Sequence, residues 1–356
     1  MPEFLSPQRP QQQAPVKTAD AKAKLADIGR GFKEVGSEIA GEPQRLWSKF
    51  WYKIENLPLT NFQMAEQFIR EGKITDAVFR LKVTLWLAPN HVQSWYLLGS
   101  CYDRLGKREK ALEALTRAMT LAPNHPQTLF LISTIDPTLL PANKRPQSVP
   151  KEMIIEFFEK LAPTYEEFQR ENNYAGHTLL ANAVKERLDS RKIDYAILDL
   201  GCGTGLVGSL IADSTARLIG VDITKGMADI AGSKRRQDER RAYSQIIQQD
   251  MRAFLLNYKA EPFDIVTAAH CFNYVGELSS IMQGVSNLLQ PGGWFIFQVE
   301  PYKQEGFGLI SGKGRFGHSE EYVQQQLANY GFEILNYSMV PVFPNYSLWQ
   351  YIARKS

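Results

Sequence analysis

The chain has 356 residues, 44% of them hydrophobic and 22% charged, enough for two or three domains with sizeable cores. A formal charge of +3 is small for this length and gives no global signal for a polyanionic partner. Cys101, Cys202 and Cys271 show neither metal nor disulfide spacing. No apolar run approaches the ~20 residues of a bilayer span, and no signal-peptide core opens the chain, so the expectation is a cytoplasmic protein.

Residues 1–42 are expected to be an N-terminal segment, disordered or in part amphipathic. Pro2, Pro7, Pro10, Gln11 to Gln13 and Pro15 make the first twenty residues too poor in apolar surface to order themselves. From Asp20 to Ala40 the pattern changes. Leu25, Ile28, Phe32, Val35 and Ile39 recur at steps of three and four along one helix face, with Lys22, Lys24, Arg30 and Lys33 around it. Packing on the next domain, a partner helix and peripheral contact with an anionic membrane surface all stay open, and Gly29, Gly31 and Gly36 weaken any helix there.

Residues 43–135 read as helical repeats. Trp47, Phe50, Trp51 and Ile54 form a leading apolar stripe. Leu87-Ala88-Pro89-Asn90-His91 then recurs as Leu121-Ala122-Pro123-Asn124-His125, a period of 34 residues. With Trp95, Leu98, Gly99, Tyr102, Ala111, Ala118 and Pro123 at their places, residues 92–125 resemble one tetratricopeptide unit. Residues 58–91 resemble a degenerate one, with Asn61 where the tryptophan belongs, and Pro126 to Thr134 supply a capping helix. The resemblance implies an all-α domain with a concave groove for a protein or peptide, or else a structural or dimerisation module. Residues 136–150, with Pro137, Pro141, Pro146 and Pro150, read as an exposed, stiff linker.

Residues 151–356 centre on Ile197-Leu198-Asp199-Leu200-Gly201-Cys202-Gly203-Thr204-Gly205. A nearly continuous apolar strand runs into three alternate glycines, followed by Leu206, Val207, Leu210 and Ile211 at helical spacing. Strand, glycine turn and helix start together make a nucleotide site. Gly203, Gly205 and Gly208 also satisfy G-x-G-x-x-G with Asp222 about 20 residues on, so spacing alone leaves a dinucleotide open.

The order of motifs narrows the choice: LDLGCGTG, then LIGVD ending at Asp222, then QQDM with Asp250 and Met251, then FDIVTAAH. This series resembles the class I S-adenosylmethionine-dependent methyltransferases, over Phe157 to the C-terminus. The resemblance implies an α/β Rossmann-like fold with a seven-stranded sheet whose last strand is antiparallel, and S-adenosylmethionine as cofactor. It further implies that Asp199 and Gly201, Gly203 and Gly205 receive the donor's amino-acid end and that Asp222 accepts its ribose hydroxyls. Ile223 and Met251 would flank the adenine, Asp250 would accept its amino group, and Tyr165, in the lead-in helix, would close over the methyl donor.

His270-Cys271-Phe272-Asn273-Tyr274 follows the fourth strand, at the usual edge of an acceptor pocket. No doubled proline with an aromatic neighbour stands there, and no Pro-Cys pair, which counts against methylation of nucleic-acid bases. The broken run Lys234 to Arg241 reads as a solvated face rather than a nucleic-acid patch. Candidate bases are His270, His318 on a glycine-rich flap (residues 306–319) and Glu300 after the fifth strand; no metal site is expected. The expected function is methyl transfer to an N or O nucleophile on a protein recruited by the repeats. The alternatives are a small metabolite or quinone-like lipid as acceptor, and a non-catalytic donor-binding scaffold.

Overall fold

The computed structural model describes residues 43–189, 194–310 and 312–356. The amphipathic stripe of residues 20–40 lies outside them. The chain divides between Arg145 and Pro146 into two compact units. Among the described residues no helix is long and apolar enough to cross a membrane.

The first unit is a run of antiparallel helices: α1 (Pro43–Arg70), α2 (Ile74–Leu87), α3 (Val92–Arg104), α4 (Arg108–Leu121) and α5 (Pro126–Ile135). The 34-residue period of the sequence recurs in its contacts. Lys73 N–H donates to the Phe68 carbonyl at 2.8 Å, and Lys107 N–H donates to that of Tyr102 at 2.8 Å. Gly72 and Gly106 turn these corners with φ of 75° and 68°. His91 and His125 each cap the helix that follows: their Nδ1 atoms accept from the N–H of Ser94 (3.2 Å) and of Thr128 (3.3 Å). Their rings meet Phe62 and Tyr96 edge-on, again 34 residues apart. Asn61, in the tryptophan's place, is buried and accepts from Arg80 at 3.1 Å, so a polar pair replaces the ring.

Small residues set the helix crossing, as the repeat pattern requires. A Cβ on Gly99 would lie 2.6 Å from Leu115 Cγ and 3.1 Å from the Ala111 carbonyl oxygen. Beyond α5 the proline-rich stretch is largely exposed. It forms short 3-10 turns over Pro137–Leu139 and Ala142–Lys144, and Leu140 is buried in the helical core.

The second unit opens with α6 (Lys151–Leu161), α7 (Tyr165–Glu171) and α8 (Gly176–Lys185). Then follow β1 (Tyr195–Leu200), α9 (Leu206–Ile211), β2 (Thr215–Asp222), α10 (Lys225–Ser233), β3 (Gln245–Gln248), α11 (Met251–Asn257) and β4 (Phe263–Ala268). The chain continues through α12 (Ser279–Leu288), β5 (Leu289–Val299), β6 (Phe307–Ile310), β7 (Arg315–His318), α13 (Glu320–Asn329), β8 (Phe332–Phe343) and β9 (Tyr346–Lys355). The sheet has seven strands in the order β3-β2-β1-β4-β5-β9-β8. The first five are mutually parallel, and β9, the last in sequence, runs antiparallel between β5 and β8. This is the Rossmann-like order expected. Both faces are covered: Leu198, Leu200, Val266, Phe295 and Phe297 enter one core, while Ile197, Leu218, Ile265, Ile296 and Ile352 enter the other.

Two glycine-bearing segments belong to strands. Gln290 to Trp294, whose Pro291-Gly292-Gly293 has the composition of a turn, lies within β5 as a bulge. The register jumps from Phe263 opposite Leu289 to Ile265 opposite Trp294, with Gly292 at φ 76°. The glycine-rich flap carries the paired strands β6 and β7, and His318, at the end of β7, is fully buried.

Gly99→Val should overpack the α3–α4 crossing and cost about 1–3 kcal/mol, read as a lower urea midpoint for the helical unit. An unchanged midpoint would mean the helices separate freely at that point.

Candidate active site

The carboxyl ends of β1, β2 and β4 meet at the glycine turn. Gly201, Gly203 and Gly205 all adopt positive φ (64°, 55° and 82°), but their surroundings are of two kinds. A Cβ on Gly201 would lie 2.7 Å from Cys271 Cβ, and one on Gly205 2.9 Å from the Tyr243 ring. These two glycines admit neighbouring side chains. At Gly203 a Cβ would meet nothing within 4 Å, so the bare backbone there opens on free space. Beside it the Thr204 hydroxyl is buried with no hydrogen-bond partner among the described residues.

Asp199 lies beneath this turn, 1% exposed. Its Oδ2 accepts from the Tyr243 hydroxyl at 2.7 Å and its Oδ1 from the Thr267 hydroxyl at 2.9 Å. Burial pushes its carboxyl up to about 6, and the two hydrogen bonds oppose that shift. Neither Tyr243 nor Thr267 carries a sequence signal of this role. Asp222, half-buried at the end of β2, is tied to the turn directly: Oδ2 accepts from Gly203 N–H at 2.9 Å and Oδ1 from Thr224 N–H at 2.8 Å. Burial raises its carboxyl above the ordinary value.

Asp250 caps α11, accepting from the N–H groups of Arg252 and Ala253 at 3.0 and 3.1 Å, both on Oδ1. Met251 reaches over the turn, its Cε 3.6 Å from where a Gly201 Cβ would stand. Ile223 is half-buried beside Asp222. Tyr165 is half-buried, and its phenol is pushed up to about 12 by burial, with the Asp222 charge contributing. The lead-in helices are fastened to the next part of the rim: Glu159 accepts from the N–H of Lys225 at 2.8 Å and of Gly226 at 3.1 Å, and Glu166 pairs with Lys234 at 2.6 Å.

His270 adopts φ 50° just after β4. Its ring stacks on Tyr174 at 5.6 Å and faces Tyr346 at 6.1 Å. Its Nε2 is buried without a hydrogen-bond partner among the described residues. Burial, with the Arg315 charge adding, lowers its pKa to about 3, so the ring stays neutral. Tyr274 stands 5.5 Å from Phe158, and Phe158 is 6.3 Å from Tyr165, so these three rings form an aromatic wall.

The other two candidate bases differ from expectation. His318 is fully buried, and its Nε2 donates to the carbonyls of Val275 (2.9 Å) and Gly276 (3.0 Å), fastening the hairpin to the segment after β4. Glu300 is 2% exposed and already paired with Lys313 at 3.0 Å and Arg315 at 3.3 Å. Each thus has a structural engagement that a base would have to give up, whereas His270 keeps its nitrogen available. Among the described residues no group of three or more His, Cys, Asp or Glu could hold a metal ion.

Comparison with known proteins bears on both units. Residues 198–297 match the methyltransferase domain family, and residues 92–125 match the tetratricopeptide repeat. A ubiquinone biosynthesis O-methyltransferase of Coxiella burnetii is 30% identical over 103 residues, 29% of this chain and 42% of that relative. The sterol 4-C-methyltransferase strm-1 of Caenorhabditis elegans is 32% identical over 99 residues, 28% of this chain and 29% of its own. The chain thus spans less than half the length of these relatives. Among solved structures, magnesium protoporphyrin IX methyltransferase (ChlM) from Synechocystis PCC 6803 with bound SAH is 19% identical. That comparison covers 58% of this chain and 100% of the other, with a TM-score of 0.47.

The buried Asp199 gives a pH test. Its folded carboxyl titrates near 6 against an ordinary 3.8, so the folded chain holds a proton that the unfolded chain has released. That contribution to stability is full below 3.8 and is lost as pH rises through 6. Relative to Asp199→Asn, the wild type should lose up to ~3 kcal/mol between about pH 4 and pH 7 in urea unfolding. A constant difference would refute the buried, raised carboxyl.

Proposed function

From a chain that carries a methyltransferase domain and a tetratricopeptide repeat, we propose an enzyme that moves the methyl group of S-adenosylmethionine to an N or O nucleophile on a protein partner held by the repeats. The observation that carries the donor assignment is the open backbone at Gly203 with Asp222 hydrogen-bonded to it. The methyltransferase match favours this donor over the dinucleotide that spacing alone left open.

The residues fit the donor. Gly203 lets its amino-acid end lie on the backbone, and the buried Thr204 hydroxyl offers an unsatisfied partner. Asp222 can exchange its backbone bonds for sugar hydroxyls, since one carboxylate takes several donors. Asp250, capping through Oδ1 alone, keeps Oδ2 for the base, with Met251 as a soft apolar cover and Ile223 opposite. Asp199 acts from below, holding the strand end that carries the turn. Tyr165, within reach of the Asp222 charge, closes over the methyl donor.

When bound, the donor supplies an activated methyl group on a sulfonium. What this chain adds is alignment, worth about 7–11 kcal/mol for a well-placed pair, and exclusion of water by the aromatic wall. His270 is assigned as the proton acceptor on its Nε2, which is buried without a partner among the described residues and can take a hydrogen bond from the nucleophile. His270 is held with its ring between those of Tyr174 (5.6 Å) and Tyr346 (6.1 Å). The repeats hold the protein partner, as stacked helical repeats commonly do. A small hydroxylated acceptor is the second reading, favoured by the aromatic wall itself.

Incubation of a lysate with labelled donor tests the assignment. Label should enter protein with the wild type and not with Asp222→Ala, whose donor affinity by calorimetry should fall at least about tenfold. Label in lipid or small metabolites alone would favour the second reading, and undiminished donor binding by Asp222→Ala would remove the donor assignment.

His270→Asn keeps a residue that tolerates positive φ. It should lower kcat by roughly 10²–10⁴ while leaving the donor Kd unchanged. Because the folded His270 is neutral down to about pH 3, the wild-type rate should show no acid limb near 6.5 from this residue. A variant as fast as the wild type would exclude His270 as proton acceptor.

A further inference from the structure

Glu300, just beyond β5, is a carboxylate that the fold buries almost completely, at 2% exposure. Such a charge requires compensation. Arg315 gives only part of it: its Nε is 3.3 Å from Oε2 and its Nη2 is 3.4 Å from Oε1, both long against the ~2.7–2.9 Å of a good charge-assisted bond. The shorter contact comes from Lys313, whose Nζ lies 3.0 Å from Oε1 and 4.8 Å over the ring of Tyr346. A buried carboxylate beside an aromatic face is what recognises an ammonium group.

The two cations are not held alike. The Arg315 side chain is 6% exposed and belongs to β7, within the hairpin ladder. That of Lys313 is 43% exposed, between Gly312 and Gly314 at φ 70° and 58°. A Cβ on Gly312 would meet nothing within 4 Å, so little packs against this turn. The Tyr346 phenol is pushed up by burial and then by the Glu300 charge, which agrees with ring and carboxylate sharing one pocket. His270 faces the same ring.

Resting on the methyl-transfer reading above, we propose that Glu300 and Tyr346 form the acceptor's recognition subsite. It takes a primary alkylammonium group such as a lysine side chain, and Lys313 occupies it while no acceptor is bound. An acceptor ammonium therefore enters by displacing Lys313 from Glu300, with Arg315 left in place to hold the carboxylate. An anionic acceptor group is disfavoured there because it would have to approach beside the buried Glu300.

The test uses the full chain without donor and n-butylammonium chloride as probe, read by isothermal titration. Lys313→Ala should bind the probe at least about tenfold more tightly than the wild type, while Lys313→Arg, which keeps a cation, stays at the wild-type level. Adding Glu300→Gln to Lys313→Ala should reverse the gain, and 1-butanol should bind all variants equally. The proposal is overturned if Lys313→Ala shows no gain, if 1-butanol shares it, or if butyrate gains instead. Failure here would leave donor binding untouched, since that is read separately by calorimetry of Asp222→Ala.

Discussion

The hydrogen bonds on one buried carboxylate hold the centre of the α/β unit together. Asp199 sits inside the parallel sheet, where an unpartnered charge would be costly, and it is tolerated because Tyr243 and Thr267 both donate to it. Those partners come from different places. Thr267 belongs to the adjacent strand β4, and Tyr243 lies in the segment before β3. The carboxylate thereby fixes strand, turn and flanking segment relative to one another. The same Tyr243 ring fills the space left by Gly205 and Gly208. Substituting any of these positions alters the others.

Above that anchor, division of labour among similar residues follows from what surrounds each one. Three aspartates end strands or begin helices, yet one is enclosed, one is bonded to the glycine turn and one caps a helix. Two histidines lie near the rim. Backbone carbonyls hold one by its Nε2, while the other is desolvated and has no partner for its Nε2 among the described residues. Residue type and spacing do not separate these cases; the hydrogen-bond partners do.

The buried central strand, the glycine turn and the helical repeat were legible because each depends on a local or periodic signal, whereas the make-up of the sheet rested on the family resemblance. A nearly continuous apolar run marks a strand buried on both faces, and a 34-residue recurrence marks a stacked helix pair. The roles of Glu300 and His318 were not legible, because they are decided by Lys313, Arg315 and the carbonyls of Val275 and Gly276, which the fold brings from other segments. Tyr174, Tyr274 and Tyr346 come from three separate parts of the chain, and no spacing links them. The bulge in β5 escaped for a different reason: Pro291-Gly292-Gly293 reads as a turn, and only pairing with β4 on both sides keeps it in the strand.

The histidine caps of the helical unit carry one more implication. A cap that accepts through Nδ1 works only while the imidazole is unprotonated, and burial lowers the pKa of both His91 and His125. For such a group the folded form loses its advantage as acidity increases below the ordinary imidazole range. Because the two caps are equivalent positions of successive repeats, protons would attack both helix starts together. Acidification therefore weakens the repeat array at its own joints, where His91 and His125 start successive helices.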